Sequence, residues 1–120
     1  DSVNSRDNYQ TRLDELKSNA LLEIKKSKEL LSNLGDFEGD PSFNKALTYV
    51  MNSYENGIKN EYYKLGSYPL LPDSMQTPDN YLITAQNVIK TDSIIDAAEK
   101  AFRSAQREFS EKNNIEIADQ

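Results

Sequence analysis

Asp36, Glu38 and Asp40 place three carboxylates at alternate positions within one short polar stretch. Hard oxygens spaced this way open a calcium loop, in which they converge on one ion, a central glycine makes the sharp turn and a glutamate closes the shell. The rest of the stretch departs from that pattern. Glycine comes too early, at Gly39, Pro41 fills the position where the loop needs it, and Leu47 stands where the closing glutamate belongs. The carboxylates therefore read as an acidic turn between helices. Asp40 is the expected N-cap and Pro41 the first helical residue, where its missing N–H costs nothing. Paired carboxylates also hydrolyse glycosides. Glu61 projects toward the apolar face of its helix, yet no motif fixes a second acid beside it. Helical carboxylates at such spacings serve mostly as ion-pair partners, and Lys64 and Arg107 are the expected ones here.

The 120 residues include no histidine and no cysteine. That removes the usual general base at neutral pH and the usual thiol nucleophile and soft metal ligand. Zinc sites, Ser-His-Asp and Cys-His constellations and Glu-x-x-His di-iron bundles are excluded with them. No catalytic, cofactor-binding or metal-binding residue is assigned, no cofactor is expected, and the chain reads as a non-enzyme. Lys and Arg total 14 against 20 Asp and Glu, a net charge of −6, which repels phosphate backbones and makes nucleic acid a poor partner. No apolar run approaches the ~20 residues of a membrane span. Among seven tyrosines, Tyr49 and Tyr63 project away from the apolar face of their helix, about four turns apart. They are the first candidates for surface contact. Tyr68, Leu70 and Leu71, with Met75, either cover one end of the fold or form a binding lip.

Long helices must position all of these groups. Tyr9, Leu13, Leu16, Ala20, Ile24, Ser27, Leu31 and Leu34 recur at alternating steps of three and four, which predicts a first helix over about 5–34 with Gly35 just past its end. Phe43, Leu47, Val50, Met51, Tyr54, Ile58, Tyr62 and Leu65 predict a second, from Pro41 to about Leu65, stopped by Gly66. Gly57 lies inside it, near the edge of the apolar face, where it permits close helix contact. Pro69 and Pro72 forbid a regular helix through 66–77. Thr77-Pro78-Asp79 then caps a third helical stretch, which reaches about Lys112.

That last stretch contains a change of phase. Tyr81, Leu82, Ala85, Val88 and Ile89 define one direction, and Ile95, Ala98, Phe102, Ala105 and Phe109 another, turned by roughly a third of a revolution. Thr91-Asp92-Ser93 falls between them and predicts a kink or break near Asp92. The expected fold is all-α: a single-domain antiparallel up-and-down bundle of three long helices, effectively three to four if the last is broken. Leu16, Ile24, Leu47, Tyr54, Ile58, Phe102 and Phe109 are its expected core. Residues 1–8 read as a flexible stretch, either a tether behind a removed signal peptide and an anchoring cysteine just upstream of Asp1 or an ordinary frayed N-terminus. Residues 113–120 read as a loosely docked tail, in which Ile115 and Ile117 alternate with polar residues.

The segment from Glu99 to Ile115, with Phe102, Ala105-Gln106 and Phe109 closing on Lys112-Asn113-Asn114-Ile115, resembles the end of a family of small helical surface lipoproteins of unknown function from Bacteroides-type bacteria and spirochaetes. It departs from them at Asn113, where an aromatic or histidine is more common. The resemblance implies a helical bundle in the cell envelope, lipid-anchored or periplasmic, that touches the membrane only through an upstream anchor. It implies no catalytic residue. The expected function is a non-enzymatic envelope or surface-exposed module that binds a protein or glycan partner or is structural. The alternative is a cytoplasmic helical protein that self-associates.

Overall fold

A computed structural model describes residues 2–36 and 39–113. Three long helices carry the fold, in up-down-up order. The first, α1, is Ser2–Leu34. It starts earlier than its apolar pattern does, so residues read as a tether form its first turns, and Arg6 Nη2 donates to the Leu70 carbonyl at 2.6 Å. Gly35 ends it in the left-handed conformation, φ 68°, with its N–H on the Leu31 carbonyl at 3.1 Å. A side chain strains that conformation, which is why glycine follows so many helices.

The second helix is interrupted. α2 spans Ser42–Lys59 and α3 spans Glu61–Ser67, with Asn60 between them at φ −116°, ψ −87°. Asp40 caps α2 as expected: its Oδ1 accepts the Ser42 N–H at 3.0 Å and the Ser42 hydroxyl at 2.7 Å. Gly66 does not stop the helix, which runs one residue further and tightens into a 3₁₀ turn at Tyr68–Leu70. The glycine instead permits a close approach, since an added Cβ would lie 2.8 Å from Leu13 Cδ1. A second 3₁₀ turn, Asp73–Met75, completes the connection. Its backbone is satisfied from within, with Gln76 Nε2 donating to the carbonyls of Pro69 and Leu71 and Asn80 Nδ2 to that of Met75. Thr77 Oγ1 accepts the Asn80 N–H at 3.1 Å, the cap that the sequence predicts for the last helix, α4, Pro78–Asn113. Of the expected tail 113–120, only Asn113 lies within the described residues, and it closes α4 with its amide on the Phe109 carbonyl.

Of the predicted kink or break near Asp92, the break is absent: α4 is helical without interruption from Pro78 to Asn113, and an interruption sits in the middle helix, at Asn60. The two apolar phases of α4 meet different partners instead. Its first half faces α3 and the 3₁₀ turn, where Tyr81 stacks edge-on to Tyr68 at 5.5 Å. Its second half faces α2, where Phe43 meets Phe102 and Phe109 at 5.5 and 5.1 Å between centroids. Asp92 has a use other than capping, since its carboxylate accepts the Tyr62 hydroxyl.

α1 and α4 each pack on the middle helix and barely touch one another. The result is a rod of 60 × 27 × 22 Å with a radius of gyration of 18.7 Å, where a compact chain of this length has about 14 Å. The core is correspondingly thin. Among the described residues, its buried apolar members are Val50, Ile95 and Ala98, beside Ser53. Most of the expected core, Ile24, Leu47, Ile58, Phe102 and Phe109, is only half-buried, because α1 and α4 each pack on the middle helix and do not close over it. Tyr54 stands at the edge of exposure, and Leu16 is 64% exposed, outside the core altogether.

Candidate functional site

The five residues singled out for contact have different fates. Tyr63 is not free. Its hydroxyl donates to Asp14 Oδ1 at 2.7 Å and accepts from Gln10 Nε2 at 2.9 Å, and the Lys17 ammonium lies 4.1 Å from its ring centroid. It fastens α3 to α1. The break at Asn60 explains this, because it rotates α3 out of the phase extrapolated from α2. Tyr68 is half-buried and donates to the Thr77 carbonyl at 3.1 Å. Leu70 and Leu71 are half-buried beside it, so these three cover an end of the rod. Tyr49 alone of the five presents most of its surface, 55%.

The acids with partners are structural. Asp40, besides capping α2, lies 3.4 Å from Lys112 Nζ, and the Ser42 hydrogen bonds hold its carboxyl below the usual range. Asp36 is exposed, and Glu38 lies outside the described residues. Among the described residues no three carboxylates converge on a point. Glu55 pairs with Lys28 across α1 and α2 and with Lys59 at 2.7 Å. Those two ammonium groups pull its pKa down to about 2. Tyr54 donates to Glu99 Oε1 at 2.7 Å, which raises the phenol's pKa. Burial, with the Asp92 carboxylate beside it, pushes Tyr62 up to about 12. These bonds stitch the middle helix to its neighbours.

Two surfaces remain. One is an open apolar face. At about 100° per residue, Leu16, Leu30 and Leu34 cluster about 80° round α1 from Leu13, Ile24 and Leu31, which turn toward the middle helix. The three are 64%, 61% and 72% exposed. At one end this face deepens into an apolar recess of about 270 Å³ between Leu31, Leu34, Phe43 and Phe109. On α4, Leu82 and Ile89 are also more than half exposed.

The second surface lies roughly opposite on α2 and is lined mostly by polar residue types. A recess of about 300 Å³ is lined by Tyr49, Asn52, Ser53, Asn56, Gly57, Asn60, Glu61, Thr91 and Ile94. The break at Asn60 shapes it, turning Glu61, the first residue of α3, toward the end of α2. Glu61 pairs loosely with Lys64, at 3.7 Å from Oε1. The expected Arg107 is not its partner, being some four turns along α4 from Thr91, the α4 residue in this recess. Oε2 is buried with no hydrogen-bond partner. Sequence reasoning singled out Glu61 and Tyr49 separately but not the recess. The available signal was Asn52, Asn56 and Asn60, an amide at every fourth position next to Glu61.

No family model matches this chain, and no curated protein or solved structure matches it significantly.

Proposed function

We propose that the chain is a non-enzymatic helical module of the cell envelope that docks a protein partner along its open apolar face. The observation that carries this is the row of Leu16, Leu30 and Leu34, exposed on a helix whose polar side is equally open to water. Leu30 and Leu34, one turn apart at the mouth of the recess between Leu31, Phe43 and Phe109, form an apolar patch of the kind that marks a surface to be covered, and Leu16 lies about four turns away on the same side of α1. The occupant that fits is an amphipathic helix. It would lie along α1 and supply the flank that a fourth helix supplies in a closed bundle. The chain's charge of −6 selects a neutral or basic partner and repels acidic ones. The envelope location rests on the resemblance of Glu99–Ile115 to small surface lipoproteins.

A photo-crosslinking residue placed at Leu30, in intact cells of the source organism, tests the reading. It should give one discrete adduct, lost when Leu16→Glu and Leu34→Glu are added. The same residue at Lys25, exposed on the far side of α1, should give none. Equal labelling from both positions would overturn the docking face. An adduct of twice the 13.7 kDa chain would replace the foreign partner with a second copy.

A further inference from the structure

We propose that the apolar recess at the end of α1 is a docking site for the chain's own C-terminal segment, Ile115-Glu116-Ile117.

The argument begins with what the recess can recognise. Leu31, Leu34, Phe43 and Phe109 supply its walls, and Asn44 is its one polar side chain. That amide is engaged at both ends. Its Nδ2 donates to the carbonyls of Leu31 and Gly35 at 3.3 and 3.2 Å, and its Oδ1 accepts the Thr48 hydroxyl at 3.2 Å. The lining therefore offers no side chain to hold a hydroxyl or a charge. Its gain comes from removing apolar surface from water, so the occupant is an aliphatic or aromatic side chain.

The chain itself brings such side chains to the mouth. α1 ends, α2 begins and α4 ends at the same end of the rod. Lys112 Nζ lies 3.4 Å from Asp40 Oδ2, which ties the end of α4 to the start of α2. Asn113, the last residue of α4, follows Phe109 by about one helical turn, with its amide on the Phe109 carbonyl. The segment beyond Asn113 thus leaves α4 within a turn of the recess. Extended backbone covers about 3.3 Å per residue, so the stretch from Asn113 to Ile117 spans about 13 Å. That is a little more than the width of one helix. It suffices to cross from α4 over Phe43 to α1, since all three helices line this one recess.

The side-chain pattern agrees. Residues two apart share one side of an extended chain, so Ile115 and Ile117 fall on one side and Glu116 on the other. Ile115 covers Phe43 and Phe109, Ile117 reaches Leu34, which is 72% exposed, and Glu116 stays in water. A short tether holds the segment at a millimolar effective concentration, so two isoleucines suffice where a free peptide of this length would not bind. A second copy is the weaker occupant, because it brings another charge of −6 against the first. The segment shares Leu34 with the footprint of the partner proposed above, and on that reading docking displaces it. Occupancy in the isolated chain does not depend on that reading.

The test exploits a chain without cysteine. Leu34→Cys with Ile117→Cys, and Leu16→Cys with Ile117→Cys, are made in the full 120-residue chain. Both are oxidised with glutathione disulfide at a dilution where copies do not meet. A disulfide needs Cα atoms within about 7 Å, and Leu16 lies about 27 Å down α1 from Leu34. The intramolecular disulfide should form about tenfold faster in the first pair than in the second. A second measurement keeps Leu34 intact. Ile115→Asn with Ile117→Asn should move the Leu31 and Leu34 methyl resonances and leave in place those of Val50, which is buried on α2, showing that the variant is folded. Equal closure rates in the two pairs would overturn the assignment. So would disulfides formed only between chains, which would give the recess to a second copy. So would Leu31 and Leu34 methyls that move with Phe37→Ala and not with the isoleucine variant, which would give it to the turn before α2.

Discussion

The middle helix has two seams, and they are built differently. Against α4 the contact is close, a buried apolar strip flanked by the Tyr54–Glu99 and Tyr62–Asp92 hydrogen bonds. Gly57 is buried there, and a Cβ added to it would lie 3.1 Å from Thr91 Cγ2 and 2.8 Å from the Tyr62 ring. Ile95 and Ala98 are buried from the α4 side and Val50 from the α2 side. Against α1 the contact is largely polar. Lys28 reaches Glu55, Asn44 Nδ2 donates to the carbonyls of Leu31 and Gly35 at 3.3 and 3.2 Å, and Tyr63 meets Asp14. α1 meanwhile leaves much of its own apolar stripe in water. Apolar burial against close-packed neighbours contributes most to stability, whereas exposed ion pairs contribute ~0–1 kcal/mol each. The α4 seam therefore holds the fold, and the α1 seam orients a helix whose leucines stay available.

The sharpest way to break this comparison is Ile95→Ala. Ile95 is buried at 7% exposure, and truncating a buried isoleucine costs about 2–4 kcal/mol. Urea denaturation should show that loss as a lower midpoint at unchanged slope. A loss within about 0.5 kcal/mol, the level of surface changes, would mean that the α4 seam is no tighter than the other.

Acid and alkali separate the seams from opposite ends. Glu55 has its carboxyl lowered from 4.5 to about 2, first by Lys28 and then by Lys59. A carboxyl with a depressed folded pKa stabilises above its unfolded value, and that stability is lost as pH falls from about 5 to 2. Acid should therefore loosen the α1 seam. The effect is on the order of 1 kcal/mol once solvent screening of a partly exposed pair is allowed for, and Glu55→Gln should flatten that limb. Tyr62 is raised from 10.0 to about 12, chiefly by burial. Its contribution is complete below pH 10 and lost as pH rises toward 12, so alkali loosens the α3–α4 contact. Tyr62→Phe should reduce the alkaline limb and leave the acid limb unchanged. Thermal melts across pH 2–12 check both arms. An acid limb that Glu55→Gln does not alter would remove the ion pair from the α1 seam.

The helices were legible from the sequence because apolar spacing and end signals act locally. Gly35, Asp40 and Thr77-Pro78 all mark ends where the structure has them, within a residue or two. The close seam was not legible. Large side chains dominate a periodicity reading, but the residues that bury most deeply are small. Val50, Ser53 and Gly57, the buried residues of α2, recur at steps of three and four, opposite Thr91, Ile95 and Ala98. Small side chains let the backbones approach, and approach is what excludes water. The interruption of the middle helix was missed for a related reason. Thr91-Asp92-Ser93 carries capping chemistry, yet Tyr62 and Gly57 across the seam give Asp92 and Thr91 other partners. Tertiary contact outweighed local preference. Asn60 carries the weaker signal, an asparagine at the end of a run of three spaced four apart, and its amide turns back onto its own helix. The polar recess followed from that break and was hidden with it.

The smallest expected effect is also the one most specific to the open face. In a closed bundle Leu16 would be a core residue, since it shares the α1 stripe with Leu13, Ala20 and Ile24, and its truncation would cost 2–5 kcal/mol. Here it is 64% exposed. Leu16→Ala removes little buried surface and replaces one strong helix former with a stronger one. The expected change in unfolding free energy is within about 0.5 kcal/mol, with the chain at a dilution where copies do not meet. Urea denaturation of Leu16→Ala beside Leu13→Ala makes the contrast. Leu13 lies against Gly66 and should cost clearly more. Equal losses of ~2 kcal/mol at both positions would show that α1 rolls its full stripe inward in solution, and the docking face would then belong to the core.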